Sequence, residues 1–262
     1  MTFIYPTKDF ECAGKTLIIP VVSTANVSQL AADLIIATLM LERVGVVDPS
    51  YFIPILGGRE DNAPGVTTAL ELYGNPDIGV ITLQQRSPVL KSRKEDFVAA
   101  LLDFIKSSKF ACVLFLSGVD VLNRTDAQML TPTYQIVPPN GPSLVQTSLN
   151  SLTSLPIPIY KSPVRQHIQP HEQSNQEDGV IPFIPGGGLT RRILTSIPED
   201  WSTPIAAILQ FVMEGDNRAD ANLLSAVIAK VLNLETQIQE WRQPTSWQEG
   251  LFGTPHDQTL YG

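Results

Sequence analysis

The chain has 262 residues, 26 acidic against 18 basic side chains, a formal net charge of −8 and a pI near 4.9. That balance lacks the basic footprint that nucleic acids and anionic lipid surfaces require, so neither is an expected partner. At 43% hydrophobic residues the chain can bury one large core, and no apolar run reaches the roughly 20 residues of a membrane helix.

Residues before Lys15 read as an extended lead-in, with Asp9 and Glu11 too early for a secretory leader. Thr16-Leu17-Ile18-Ile19-Pro20-Val21-Val22 is a short apolar run rich in β-branched residues, the pattern of a buried strand. After the turn Ser23-Thr24-Ala25, Asn26 and Gln29 have capping-box spacing, and a helix is expected from Val27 through Leu30, Ala31, Leu34, Ile35, Thr38 and Leu41. Its second half, 34–41, is apolar nearly all round and must be covered, by the sheet, by other helices or by a partner protein. Residues 44–47, 51–56, 66–73 and 78–84 read as strands, with turns or loops between them. Ser92 and Glu95 form a second capping box ahead of a helix carrying Phe97, Val98, Leu101, Leu102, Phe104 and Ile105. Residues 111–116 are a continuous apolar run, the mark of a central parallel strand, and strand–helix–strand repetition implies an α/β fold with helices on both faces of a mainly parallel sheet.

Residues 131–182 are rich in Pro, Ser, Gln, Thr and Asn and read as a surface insertion, partly disordered, within a single domain spanning 1–262. Short strand-like pieces stand at 135–137 and 157–160. His167 and His171 have a zinc-compatible spacing, but no cysteine is near, and they read as solvated. Beyond residues 180–184 and Pro185-Gly186-Gly187-Gly188, residues 189–197 suggest a short helix or loop. Thr203 and Pro204 look like the start of a helix bearing Ile205, Ile208, Leu209 and Val212. Glu214-Gly215-Asp216-Asn217 ends it, and another helix is expected over 218–232. Trp241 and Trp247 flank a proline-containing link, and residues 253–262 read as a free tail.

Three places invite chemistry. Gly186–Gly188 followed by Arg191 and Arg192 could cradle an anion at a helix start, but it fits neither the P-loop nor the dinucleotide fingerprint, and a tight turn between close backbones is the simpler reading. Glu214 and Asp216 lack a third catalytic partner and read as helix punctuation, although Glu214 at a helix C-terminus would want a specific partner. No nucleophile elbow, catalytic carboxylate pair, Cys/His dyad or zincin motif is present, so an enzyme is not expected and no cofactor is assigned. Cys12 and Cys112, far apart in sequence, read as reduced thiols of a cytoplasmic or nuclear protein. Finally, Leu260-Tyr261-Gly262 offers a carboxylate, an aromatic ring with a hydroxyl and an aliphatic anchor, a set that can plug a pocket.

Taken in order, Leu17-Ile18-Ile19-Pro20-Val21-Val22-Ser23 with Asn26-Val27 and Gln29-Leu30, Leu83-Gln84-Gln85-Arg86-Ser87, Ile184 to Gly188, Phe211 to Asn217, Ser246-Trp247 and Leu251-Phe252-Gly253 resemble the proteasome assembly chaperone 2 family. The resemblance covers most of the chain outside 131–180. It implies a three-layer α/β/α sandwich related to nucleoside-phosphorylase-like domains, without known catalysis. It implies a heterodimer with proteasome assembly chaperone 1, seated on the outer face of the α-ring of the proteasome core particle, guiding ring formation and blocking premature binding of regulators. Fungal members end in a hydrophobic–tyrosine–any-residue tail that inserts between α subunits, and Leu260, Tyr261 and Gly262 match that pattern. The alternative is an enzyme or sensor of a phosphorylated or nucleoside ligand held at Gly186–Gly188.

Overall fold

The computed structural model describes residues 2–60, 63–164 and 181–249. Its centre is an eight-stranded sheet in the order β1-β3-β4-β5-β2-β6-β8-β7. In chain order these are β1 (Ile4–Pro6), β2 (Thr16–Pro20), β3 (Glu42–Val47), β4 (Leu70–Gly74), β5 (Val80–Gln85), β6 (Cys112–Asp120), β7 (Thr133–Ile136) and β8 (Ile205–Val212). The inner four, β5-β2-β6-β8, are parallel, and β1, β3, β4 and β7 join antiparallel on the flanks. The sheet is therefore mixed.

The parallel strands are buried on both faces, which is why they read as unbroken apolar runs. Alternation sorts them cleanly. Leu17, Ile19, Val113, Phe115, Ala207, Leu209 and Phe211 enter one core with α2 (Lys94–Ser107) and α3 (Gly188–Thr195). Ile18, Leu114, Leu116, Ala206, Ile208 and Val212 enter the other with α1 (Val27–Thr38) and α4 (Arg218–Val231). Three layers result, as the resemblance implied. The α2 side adds an aromatic cluster in which Phe97 packs edge-on to Phe52 and Tyr51 at 5.2 and 5.8 Å between ring centres.

Several local expectations are corrected. The 205–212 run is a central strand, with all eight residues buried, and not a helix begun by Thr203 and Pro204. Spacing of Ile205, Ile208, Leu209 and Val212 satisfies a helical period only because every position is apolar or, at Gln210, buried and bonded to the Asp220 carbonyl. The Asn26/Gln29 capping box does not form. Ala25 and Asn26 both have positive φ (58° and 51°) in a 3-10 turn, so the Asn26 side chain cannot cap. Nor does Ser92 cap a helix, since the chain enters α2 through a 3-10 turn at Lys91–Arg93. Residues 66–69 lie in the loop before β4, and 51–56 contribute only a 3-10 turn and an isolated bridge from Phe52 to Val89.

The oily segment 34–41 is covered by its own chain rather than held open for a partner. Leu34, Ile35, Leu39 and Leu41 are buried, and Met40, in a left-handed conformation at φ 50°, stops the helix and is the exposed one. The segment after α4 contributes to this cover. Leu232, Leu234 and Trp247 are buried in the same core, and Thr38 exchanges hydrogen bonds with the backbone of Arg242. Within 131–182, the described residues 131–164 carry β7 and bury Leu144, Leu149, Leu152 and Tyr160. There the Gln135 amide donates to the Pro158 carbonyl at 2.9 Å and the Tyr160 amide donates to the Gln135 carbonyl at 2.8 Å, so the stretch 157–160 shields the outer side of β7.

Candidate functional site

In an open α/β sheet, ligands are expected in the crevice beyond the carboxyl ends of the parallel strands. In this protein that crest is closed by short side chains and backbone over β6, while a cleft stays open past the ends of β2 and β5. The turn after β2 lies across Gly118 of β6 so tightly that a Cβ there would stand 2.4 Å from the Thr24 carbonyl oxygen. The Gly118 amide donates to Ser23 Oγ at 2.7 Å, and Ser28 Oγ donates to the Val21 carbonyl. Gly186, at φ +75°, brings the glycine turn against the same residue, where a Cβ would fall 2.1 Å from Thr24 Oγ1. Thr190 Oγ1 donates to Ser117 Oγ at 3.0 Å beneath it. The glycine turn thus serves a close backbone approach, the simpler of the two readings of the sequence.

The two arginines of the anion-cradle alternative are engaged elsewhere. Arg191 donates through Nε to the Ile181 carbonyl, and Arg192 pairs with Glu95 on α2 at 3.5 Å. Neither lines the cleft of ≈ 700 Å³ beside the turn, whose walls include Val22, Ile53, Leu90, Lys91, Lys94 and Gly188. Glu214 does have a specific partner, accepting from the Ala25 amide at 3.0 Å. Because it follows a strand, the helix-dipole argument for that partner does not apply; the bond instead helps hold the left-handed Ala25. Asp216, just ahead of α4, accepts from the Arg218 amide in a short turn, and the Arg218 guanidinium holds its carboxyl below the usual range. Among the described residues no cluster of metal-ligating side chains occurs. His167, His171, Leu260, Tyr261 and Gly262 lie outside the described residues.

Sequence spacing did not foretell a polar network under α1. Asp33 takes two bonds from Arg86, at 2.8 and 3.2 Å, and one from Gln84 at 2.7 Å. Burial opposes the Arg86 charge, but the Asp33 carboxylate outweighs it and holds the guanidinium protonated. On β4, fully buried Glu71 accepts from Arg43, Thr68 and Tyr73. Burial first, and the Glu71 charge second, push the Tyr73 phenol upward, so it stays a donor. The network is a scaffold that ties α1 to β4 and β5. Arg86→Met leaves Asp33 without its ion-pair partner, and we expect a loss of about 1–2 kcal/mol, below the buried-pair range because both groups keep some solvent contact. Urea melts of Arg86→Met against the double variant Arg86→Met/Asp33→Asn test this, since the second change removes the orphaned carboxylate charge as well and the double variant is expected to cost less.

The crest's surface is apolar where it is not filled. Among the described residues, eight of the fifteen exposed large apolar side chains (Ile53, Ile55, Leu56, Val66, Leu122, Met129, Leu130 and Met213) sit on loops at this end of the sheet, a concentration that marks the end as a contact surface. A second apolar groove of ≈ 750 Å³ runs between Leu130 and Ile159 beside β7.

The sequence model of the PAC2 family matches residues 17–242. Proteasome assembly chaperone 2 of Xenopus tropicalis is 33% identical over 250 residues, covering 91% of this chain and 92% of its own, and that of Homo sapiens is 32% identical over 96% of both. Among solved structures, Pyrococcus furiosus PbaA, described as an archaeal homolog of proteasome-assembly chaperone, superposes with a TM-score of 0.62 at 16% identity over 88% of this chain and 86% of its own. Pyrococcus furiosus PbaB, described as an archaeal proteasome activator, gives 0.59 at 16% identity over 88% and 89%. These last two likenesses speak to the fold. With a family match spanning most of its length and relatives one-third identical end to end, the chain belongs to the PAC2 family.

Proposed function

We propose that this protein is a proteasome assembly chaperone that acts by binding and not by catalysis. In this reading it pairs with proteasome assembly chaperone 1, and the pair rests on the outer face of the α-ring of the core particle in the cytoplasm and nucleus. There it promotes ring assembly and keeps regulators off until the particle is ready. Leu260, Tyr261 and Gly262 anchor it by entering a pocket between α subunits. The observation that carries the reading is the end-to-end likeness to relatives named proteasome assembly chaperone 2. The tight packing over Gly118 and the exposed apolar loops around it fit a protein whose partners are surfaces.

The test is affinity purification of the tagged full chain from its own cells, followed by mass spectrometry. A second, similar-sized PAC2-family chain and α subunits are expected together, without mature regulators. Recovery of the chain alone, or its permanent residence in finished particles, would overturn the proposal.

A further inference from the structure

At the corner where β6, β7 and β8 reach the crest, a charge stands without its opposite. Arg124, four residues past β6, lays its guanidinium over the Phe211 ring at 6.0 Å. Tyr134 and Tyr160 pack against the same ring, at 5.6 and 6.2 Å between centres. Burial pushes the Tyr134 phenol up, and the Arg124 charge beside it opposes that push. Among the described residues, Arg124 Nε is buried without a hydrogen-bond partner, and no carboxylate pairs with the guanidinium. A half-buried guanidinium stacked on an aromatic face is ready to receive an anion.

A residue that can be given that anion lies next door. The Gln128 side chain accepts from the Thr125 amide at 3.1 Å and donates to the Lys161 carbonyl at 2.8 Å. One amide group thus spans the gap between the chain neighbours of Arg124 and Ser162, a gap that an arginine side chain covers. Ser162 is half-buried and lies outside any helix or strand. Its hydroxyl makes a local turn, donating to the Val164 carbonyl at 3.1 Å and accepting from the Val164 amide at 3.3 Å. Burial pushes the Tyr160 phenol up, and the Ser162 hydroxyl beside it partly offsets this. In the sequence, Lys161 precedes Ser162, Pro163 follows it, and Arg165 stands three places on. Of the five Ser-Pro and Thr-Pro pairs in the chain, this one alone has a basic residue at the third position. Proline offers no amide and holds the residue before it extended, which suits a kinase that takes its substrate as an extended chain with proline after the acceptor.

We propose that Ser162 is a phosphorylation site for a proline-directed protein kinase and that Arg124 is the receptor for the phosphate. The γ-phosphoryl group of ATP passes to Ser162 Oγ, the hydroxyl proton goes to the catalytic base of the kinase, and ADP leaves. The phosphate brings a charge of about −1.5 to −2 and three acceptor oxygens. Arg124 can engage two of these, and Lys161, exposed at the adjacent position, adds a second cation. Thr125 and Ser162 both line the apolar groove between Leu130 and Ile159. The new pair therefore pins the 157–164 segment to the loop after β6 and places phosphate at the rim of that groove. Neither the site nor its receptor depends on the chaperone role.

The test treats the full chain with a purified proline-directed kinase and ATP, alongside Ser162→Ala and Arg124→Gln. Mass spectrometry is expected to find phosphate at Ser162 in wild type and Arg124→Gln, and on the chain purified from its own cells with phosphatases inhibited. Phosphorus NMR then follows the second ionisation of that phosphate, with Ser162→Ala identifying its signal. In folded wild type it is expected about half a pH unit below its value in Arg124→Gln, because the guanidinium favours the dianion. Asp126, exposed on the same loop, and Lys161 act equally on both proteins. Wild type unfolded in urea gives a second reference that needs no variant, and there the ionisation is expected to return to about 6. An unmodified Ser162, with the purified kinase or in cells, overturns the site. An ionisation unchanged between folded wild type and either reference leaves Arg124 without its role and overturns the proposal.

Discussion

Removing Leu260, Tyr261 and Gly262 is expected to lower affinity for assembling α-rings by about a hundredfold, close to 2.7 kcal/mol, while the heterodimer forms in normal yield. In the proposed reading the three residues present a carboxylate, an aromatic ring and an aliphatic side chain, each wanting a different wall of one pocket. Their loss is expected to spare the described body, whose core includes Trp247 upstream of them. Adding a single residue after Gly262 should act almost as severely, because it displaces the carboxylate from its place while leaving every side chain present. Quantitative pull-down of precursors reports both. Precursors recovered at unchanged yield by the shortened chain would sink the anchor role.

Gly118→Val is the second large effect, and it acts on folding. Valine normally favours a strand over glycine. Here the added Cβ would meet the Thr24 carbonyl at 2.4 Å and Val27 Cγ1 at 3.0 Å, and a backbone oxygen cannot swing aside as a side chain can. The turn after β2 must move, carrying with it the Gly118–Ser23 and Ala25–Glu214 bonds. We expect about 3 kcal/mol of destabilisation, or roughly 6–12 °C in melting temperature. Gly188→Ala is the control, since nothing lies within 4 Å of a Cβ there and the residue opens α3. That change is expected to be neutral or to stabilise by about 0.5–1 kcal/mol. Equal melting curves for the two variants would refute the tight crest.

The parallel centre of the sheet was legible because burial on both faces leaves a plain signature in β2 and β6. The same property hid β8. A strand apolar on both faces has no period of its own, so Thr203-Pro204 ahead of it tipped the reading towards a helix. Capping boxes misled for a different reason. At Asn26 the tertiary demand for a tight crossing over Gly118 set the backbone to positive φ, which overrides local capping preference. Residues 131–164 looked too polar to pack, yet isolated Leu144, Leu149, Leu152 and Tyr160 are each buried. Composition averages over a stretch, whereas burial selects single side chains. Pairs such as Asp33 with Arg86 and Arg43 with Glu71 lie 53 and 28 positions apart, and no spacing rule connects them. The Gly186–Gly188 turn was legible as a close approach, because glycine's one unambiguous message is the absence of a side chain. The contact surface was the least legible part, since exposed apolar residues in loops carry no periodic mark.

A sheet of eight strands has two margins, and both are sealed against growth. One ends in the three-residue β1, which finishes on Pro6; the other is capped by a segment whose Pro156 and Pro158 have no amide hydrogen to offer. Neighbouring molecules are thereby denied the continuous hydrogen-bonding template on which strands polymerise. Whatever this protein recruits must come to its loops and helices, so its complexes are expected to be of fixed size, which suits a factor that must gather with many copies of other chains without ever becoming a fibre.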